Sequence, residues 1–193
     1  MDVISIEKTT RERAPEIARL IMMAMTDDCC LHFCGEGYGL EDFRKMMTSL
    51  VEREDSQYSY MNTYVACDGS RTVGVSVSYD GGKLHALRRA FLELSKEYIG
   101  KDNSDMDDET QAGELYLDSL AVLPGYRRQG IARRLIAATK SRADALGLPC
   151  VGLLVDKGNP EGEAFYASMG FQYSNDSHWG GHAMKHLTLC TNS

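Results

Sequence analysis

The chain has 193 residues, 43% of them hydrophobic and 25% charged, with a formal net charge of −7. That length suffices for one domain with its own core. The acidic balance argues against nucleic acid, whose binding rests on basic surface, and no apolar run approaches the roughly 18 residues of a membrane span. The opening residues lack the basic and apolar stretches of a signal peptide, so the expected compartment is the cytoplasm. There the six cysteines are expected as free thiols.

Val3-Ile4-Ser5-Ile6 reads as a first strand. Thr9 and Glu12 have capping-box spacing. Ile17, Leu20, Ile21 and Ala24 recur at helical spacing, which predicts an amphipathic helix over about 11–26 with Pro15 near its first turn. Residues 27–39 hold Cys29, Cys30, His32 and Cys34, then three glycines, and read as a flexible loop. No second ligand pair of the kind zinc sites use accompanies that cluster, so it is assigned no metal. A helix follows over about 40–53, with Phe43, Met46, Met47 and Leu50 on one face as core filler. Strands are expected over 62–67 and 72–79, joined by the turn residues Asp68-Gly69-Ser70. A helix over about 84–98 has Leu87, Ala90, Phe91 and Leu94 in register. Residues 101–113, rich in Asp and Glu, read as a solvated, disorder-prone loop, with an acidic lip for a cationic substrate as the alternative. Beyond lie a strand over 115–122, a helix over about 129–146 closed by Gly147, and an apolar strand over 150–155. A short helix opening at Asn159-Pro160 and two closing strands, 171–173 and 183–189, complete the chain, with a turn at Gly180-Gly181.

The segment Val122-Leu123-Pro124-Gly125-Tyr126-Arg127-Arg128-Gln129-Gly130-Ile131-Ala132 carries the chemistry. A strand ends, the chain turns, and a helix begins at arginines and a glycine. The first amides of a helix lack intrahelical partners and carry the positive end of its dipole, so together they suit a pyrophosphate. Gly130 permits close backbone approach, Ala132 avoids crowding, and Arg127 and Arg128 add charge-assisted contacts. Gly125 and Gly130 also stand at P-loop spacing. Ile131 and Ala132 follow where that motif needs Lys and Ser/Thr, which excludes a nucleotidase. A surface helix that merely begins with arginines stays open on these residues alone.

Arg127-x-x-Gly130-x-Ala132 after Leu120-Ala121-Val122 resembles motif A, the Q/R-x-x-G-x-G/A acetyl-CoA signature of the GNAT superfamily of N-acetyltransferases. Ala132 stands where many members have glycine, which the pattern permits. The downstream Asn159 and Ala164-Phe165-Tyr166-Ala167-Ser168-Met169-Gly170-Phe171 are similar to that family's second motif. The resemblance covers about Glu114–Tyr173 in motifs and the earlier chain in element order only. It implies an α/β (α+β) fold: a single domain over 1–193, with a central mixed, mostly antiparallel sheet of about six to seven strands. Helices would flank that sheet, and it would be splayed at the acetyl-CoA site. A helical insertion with an acidic loop, about 83–113, departs from the pattern and bears on the substrate-side wall.

The implied activity is acetyl transfer from acetyl-CoA to a primary amine by direct attack in a ternary complex, with no metal and no covalent acyl-enzyme. An attacking amine must be neutral, so a carboxylate should take its proton. Asp118 and Glu114 are the candidates, on one strand face with Tyr116 between them, and the residues leave both open. Backbone N–H groups around Leu120, Ala121 and Val122 would face the oxyanion if a bulge frees them. The resemblance makes Tyr166 the acid that protonates the thiolate and gives Asn159 to the pantetheine arm. It gives Arg127, Arg128, Gln129, Gly130, Ile131 and Ala132 to the pyrophosphate, and it makes a homodimer a family-level expectation. The acceptor is a small-molecule or peptide amine, and net charge favours a cationic one. The rival readings are a protein N-terminal or lysine acetyltransferase and a non-catalytic acyl-CoA sensor.

Overall fold

The structure, a computed structural model, describes residues 4–190; Val3 of the expected first strand lies outside them. The chain folds as one domain around seven strands: β1 (Ser5–Lys8), β2 (Thr63–Asp68), β3 (Arg71–Asp80), β4 (Glu114–Val122), β5 (Cys150–Asp156), β6 (Gln172–Trp179) and β7 (His182–Cys190). They form one open sheet in the order β1-β2-β3-β4-β5-β7-β6. Only β4 and β5 run parallel, and every other pair is antiparallel. The helices are α1 (Ala14–Met25), α2 (Asp27–His32), α3 (Leu40–Glu52), α4 (Leu84–Ile99), α5 (Ile131–Ala145) and α6 (Pro160–Ala167).

Two apolar layers clamp the sheet. On one face Ile17 and Ile21 of α1, Phe43, Met46 and Leu50 of α3 and Phe91 of α4 pack on Val65, Val75, Val77 and Ala121. On the other, Ile131 and Leu135 of α5 meet Ala66 and Val73, while Ile136 and Ala143 meet Leu115, Leu117, Val151 and Leu153. Each fully buried side chain of this size contributes roughly 1.5–3 kcal/mol. The methionine stripe of α3 is therefore core, as its spacing predicts.

Several expectations are corrected. The first helix opens with a 3-10 turn at Arg11–Arg13, and α1 proper begins at Ala14 with Pro15 in its first turn. The Thr9–Glu12 capping box does not form, because Glu12 takes its hydrogen bond from Thr10 instead. The expected loop at 27–39 begins as helix α2. Thr26 accepts the Cys29 amide, Asp27 and Asp28 complement the dipole, and Cys30 anchors the turn in the core. The closing strands run longer than 171–173 and 183–189. β6 is a mostly polar edge strand, laddered to β7 and packed into the core at Trp179, so apolar alternation does not reveal it. The acidic segment after α4 has no regular structure but is not solvated throughout: Asn103 and Glu109 are buried. Asn103 bonds the Phe33 carbonyl just past α2, and Glu109 pairs with Arg88 of α4. Cys150 and Cys190 are not free thiols. Pairing of β5 with β7 sets them opposite one another, and they form a disulfide. Cys29, Cys30, Cys34 and Cys67 remain free. Among the described residues no cluster of His, Cys, Asp and Glu could hold a metal ion, and no helix is long and apolar enough to cross a membrane.

Candidate active site

The parallel β4–β5 ladder is short. Glu114, Leu115 and Tyr116 pair with Cys150, Val151 and Gly152, and there the pairing stops. From that point β4 stays with β3 while β5 stays with β7 as far as Asp156. The two strands splay, so the β4 edge that faces β5 carries backbone groups with no strand partner beyond Tyr116.

A second irregularity lies beside the first. Val77 pairs with Ser119 but Ser78 pairs with Leu117, so Asp118 is the extra residue of a β-bulge. Alternation shifts there. Leu115 and Leu117 face α5 before the bulge, and Leu120 and Val122 face it afterwards. Asp118 and Ser119 thus both line one cavity of about 570 Å³, with Tyr116 beside them. Its remaining walls come from the α1–α2 junction, the β6–β7 turn and the end of β5. The ionisable side chains in the lining are Asp28, His32, Glu109, Asp118, Asp156 and His182 with Cys29 and the tyrosines, and they include neither lysine nor arginine.

Asp118 and Glu109 meet at the floor. The Tyr79 hydroxyl lies 3.2 Å from Asp118 Oδ2 and 3.2 Å from Glu109 Oε1. Ser119 Oγ donates to Asp118 Oδ1 at 2.9 Å. Gln57 Nε2 donates to Glu109 at 3.4 Å, and the Arg88 guanidinium pairs with both Glu109 and Asp108. Burial pushes the Asp118 carboxyl up, against the hydrogen bonds that favour its ionised form. Burial also pushes Glu109 up to about 7; Arg88 opposes this and the Asp118 charge adds to it. Glu109 is the residue that sequence reasoning misses. It sits among Asp105, Asp107 and Asp108 with no spacing that distinguishes it.

The turn into α5 forms the other end of the site. Pro124–Tyr126 make a 3-10 turn, and Tyr126 is tied to Asp68 of β2 by a 2.7 Å hydrogen bond. Arg128 and Gly130 both adopt positive φ, 64° and 77°, which turns the backbone before the helix starts. Gly130 is the N-cap, and α5 has no side-chain cap and no acidic residue in its first turn. Its leading amides are therefore free of side-chain competition for an anion. Arg127 bonds back to the Val122 carbonyl at 3.1 Å, and Gln129 to that of Gly125 at 3.3 Å. Ile131 is buried beneath the turn, Ala132 is half-buried, and Ala121 faces the α1 layer. An open strand edge that leads to uncapped amides fits an acyl-CoA: edge groups for the amide-bearing arm, helix start for the pyrophosphate.

The remaining candidates divide. Asn159 lines the cavity while its Oδ1 accepts the Gly162 amide at 2.9 Å and caps α6. Tyr166 lies outside the cavity lining, between Phe165 and Phe171, and burial pushes its phenol up to about 12. Glu114 also lies outside that lining. It is buried over Gly152, accepts the Gln111 amide at 2.9 Å and is 2.7 Å from His186 Nε2.

No curated protein matches the chain. Solved structures share its fold. One acetyltransferase aligns at 24% identity with a TM-score of 0.79, over 97% of this chain and 100% of that one. An N-acetyltransferase from Staphylococcus aureus Mu50 aligns at 20% identity and a TM-score of 0.78, over 96% and 100%. The ribosomal-protein-S18-alanine N-acetyltransferase from Escherichia coli aligns at 14% and 0.58, over 97% and 94%. The sequence profile of the acetyltransferase (GNAT) family matches residues 40–171, a stretch that holds the splayed strands, the bulge and the turn into α5. The chain therefore belongs to the GNAT acetyltransferase family, and it is an acetyl-CoA-dependent acyltransferase.

Proposed function

We propose that this enzyme moves the acetyl group to the primary amine of a small cation, by direct attack within a ternary complex. The observation that carries this reading is Asp118, lifted by its bulge into a cavity lined by carboxylates and without lysine or arginine. An ammonium group is attracted there, and an acidic peptide or a free carboxylate is repelled. Tyr58, Tyr116 and Trp179 supply aromatic walls of the kind that hold organic cations.

Acetyl-CoA supplies an activated acyl carbon and a sulfur leaving group. Asp118 removes a proton from the bound ammonium so that nitrogen presents its lone pair. Unpaired backbone groups of β4 around Leu120–Val122 orient the acyl oxygen. Arg127, Arg128, Gln129, Gly130, Ile131 and Ala132 hold the pyrophosphate, and the Asn159 side-chain amide is left to steady the pantetheine arm. Tyr166, a neutral phenol at working pH, gives its proton to sulfur and recovers one from the amine nitrogen, whose second proton thus ends on the thiol. Glu114 receives no proton-transfer role, because its carboxylate is committed to His186 and Gln111.

Thiol release from acetyl-CoA, followed across an amine panel, tests the reading. Diamines and other small cations should turn over faster than zwitterionic amino acids, and those faster than acidic N-terminal peptides. A peptide or amino acid as the best acceptor would overturn it.

A further inference from the structure

With Asp118 taken as the first proton acceptor, as proposed above, we infer that Glu109 stores the proton during turnover and receives it through the Tyr79 hydroxyl. An ammonium acceptor must lose two protons from nitrogen to become an amide. One ends on the CoA sulfur. The other is surplus: R–NH3+ and the acetyl thioester give amide, thiol and one H+. A lone Asp118 that kept this proton would block its own next cycle.

The geometry provides a way out. The Tyr79 hydroxyl is 3.2 Å from each carboxylate and is buried. A phenol has one hydrogen to give. As Asp118 hands its proton to the Tyr79 oxygen, Tyr79 passes its own hydrogen to Glu109 Oε1, the phenol is neutral before and after, and Glu109, which lines the cavity, gives the proton up to solvent there before the next turnover. Burial and the neighbouring carboxylates hold Tyr79 far above the ordinary phenol range, so a free phenolate is not a stage of the transfer.

Charge balance points the same way. Arg88 is the guanidinium in contact, and it faces both Asp108 and Glu109; His85 touches Asp108 from its outer side. Asp118 adds a third carboxylate. Tyr58, Tyr116 and Cys29 press on the pair from the walls as neutral groups. Asp28, Asp156, His32 and His182 line the same cavity. One guanidinium cannot neutralise three carboxylates, so the Glu109–Asp118 pair is poised to hold a single proton near neutrality, in keeping with Glu109 being pushed up to about 7. A purely structural Arg88–Glu109 pair would need only one oxygen. Here Oε2 meets Arg88 and Oε1 is turned toward Tyr79 and the cavity floor.

The test is steady-state kinetics against pH for the full chain, with the best amine of the panel. Glu109 accepts a proton only when ionised, so kcat of the unaltered enzyme should fall as pH drops through about 7. Glu109→Gln should lower kcat about 100-fold, leave KM for acetyl-CoA in place and remove that acid limb. Glu109→Asp should restore part of the rate. Tyr79→Phe should cost as much as Glu109→Gln, and the double variant no more than either. Unchanged kcat and acid limb in Glu109→Gln, or losses that multiply in the double variant, would overturn the relay. If Glu109→Gln does not fold, an unchanged kcat in Tyr79→Phe does so alone. Asp118→Asn separates the two claims. If it abolishes turnover while Glu109→Gln leaves kcat and the acid limb unchanged, only the relay falls; if it leaves kcat intact, the Asp118 reading and the relay fall together.

Discussion

Tyr166 is half-buried and Glu114 buried near the same strands, and the reading proposed above gives them different work. Tyr166 is wedged between two phenylalanine rings, and burial holds its phenol up at about 12, so it can donate a proton but not lose one to solvent. Tyr166→Phe should reduce kcat about 100-fold with acetyl-CoA affinity nearly unchanged, as measured by turnover and direct binding side by side. Equal kcat would remove it as the acid. Glu114 instead completes a buried pair with His186. Glu114→Ala should destabilise the fold by about 3 kcal/mol in chemical denaturation, because it strands His186 and the Gln111 amide. Its effect on KM for amine should be small. The sequence placed Asp118 and Glu114 on one strand face, and they do share it. It could not separate them, because Gly152 and His186, which occupy Glu114, arrive from strands distant in sequence.

At the scale of elements, the turn into α5 is where local sequence and backbone geometry agree most closely. Gly130 carries φ of 77° and has open space around the position of a Cβ. A Gly130→Glu side chain would therefore fit sterically but strain the backbone by ~1–3 kcal/mol. It would also set a negative charge against the bound pyrophosphate. CoA affinity should fall at least ~100-fold by calorimetry, while Gly130→Asn, which tolerates left-handed φ better, should lose far less. Elements with an apolar stripe were legible: α1, α3, α4 and α5 all lie within a few residues of their predicted spans. Elements without one were not. β6 is polar along most of both faces and is held by its ladder with β7 and by Trp179 against Phe33. α2 is six residues long, held by the Thr26 cap and one buried cysteine. The bulge at Asp118 is a register fact between two strands, so no single stretch of sequence encodes it.

For the molecule as a whole, net charge and cavity charge have the same sign. The chain carries −7, and the cavity adds four carboxylates without a lysine or arginine. KM for a cationic amine should therefore rise several-fold between roughly 0.05 and 0.5 M salt as screening shortens the field, with kcat held constant. A salt-independent KM would mean that the acids act only at contact. The order of elements and the turn into α5 could be read from sequence because both are local patterns. The acceptor wall could not: Thr26, Asp28, Trp179 and His182 meet only after the sheet has closed the distance between the two ends of the chain.

That wall has a consequence for inheritance. The family profile spans residues 40–171, which include the splayed strands and the turn into α5. Asp28, His32, Trp179, His182 and Met184 of the cavity lie outside it. Tyr58, Glu109, Tyr116, Asp118 and Asp156 of the same cavity lie within it, so the cavity is written partly inside and partly outside the family stretch. A lineage can reshape the outer wall of the cavity at the α1–α2 junction and the β6–β7 turn while its carboxylate floor and the splayed strands pass on untouched.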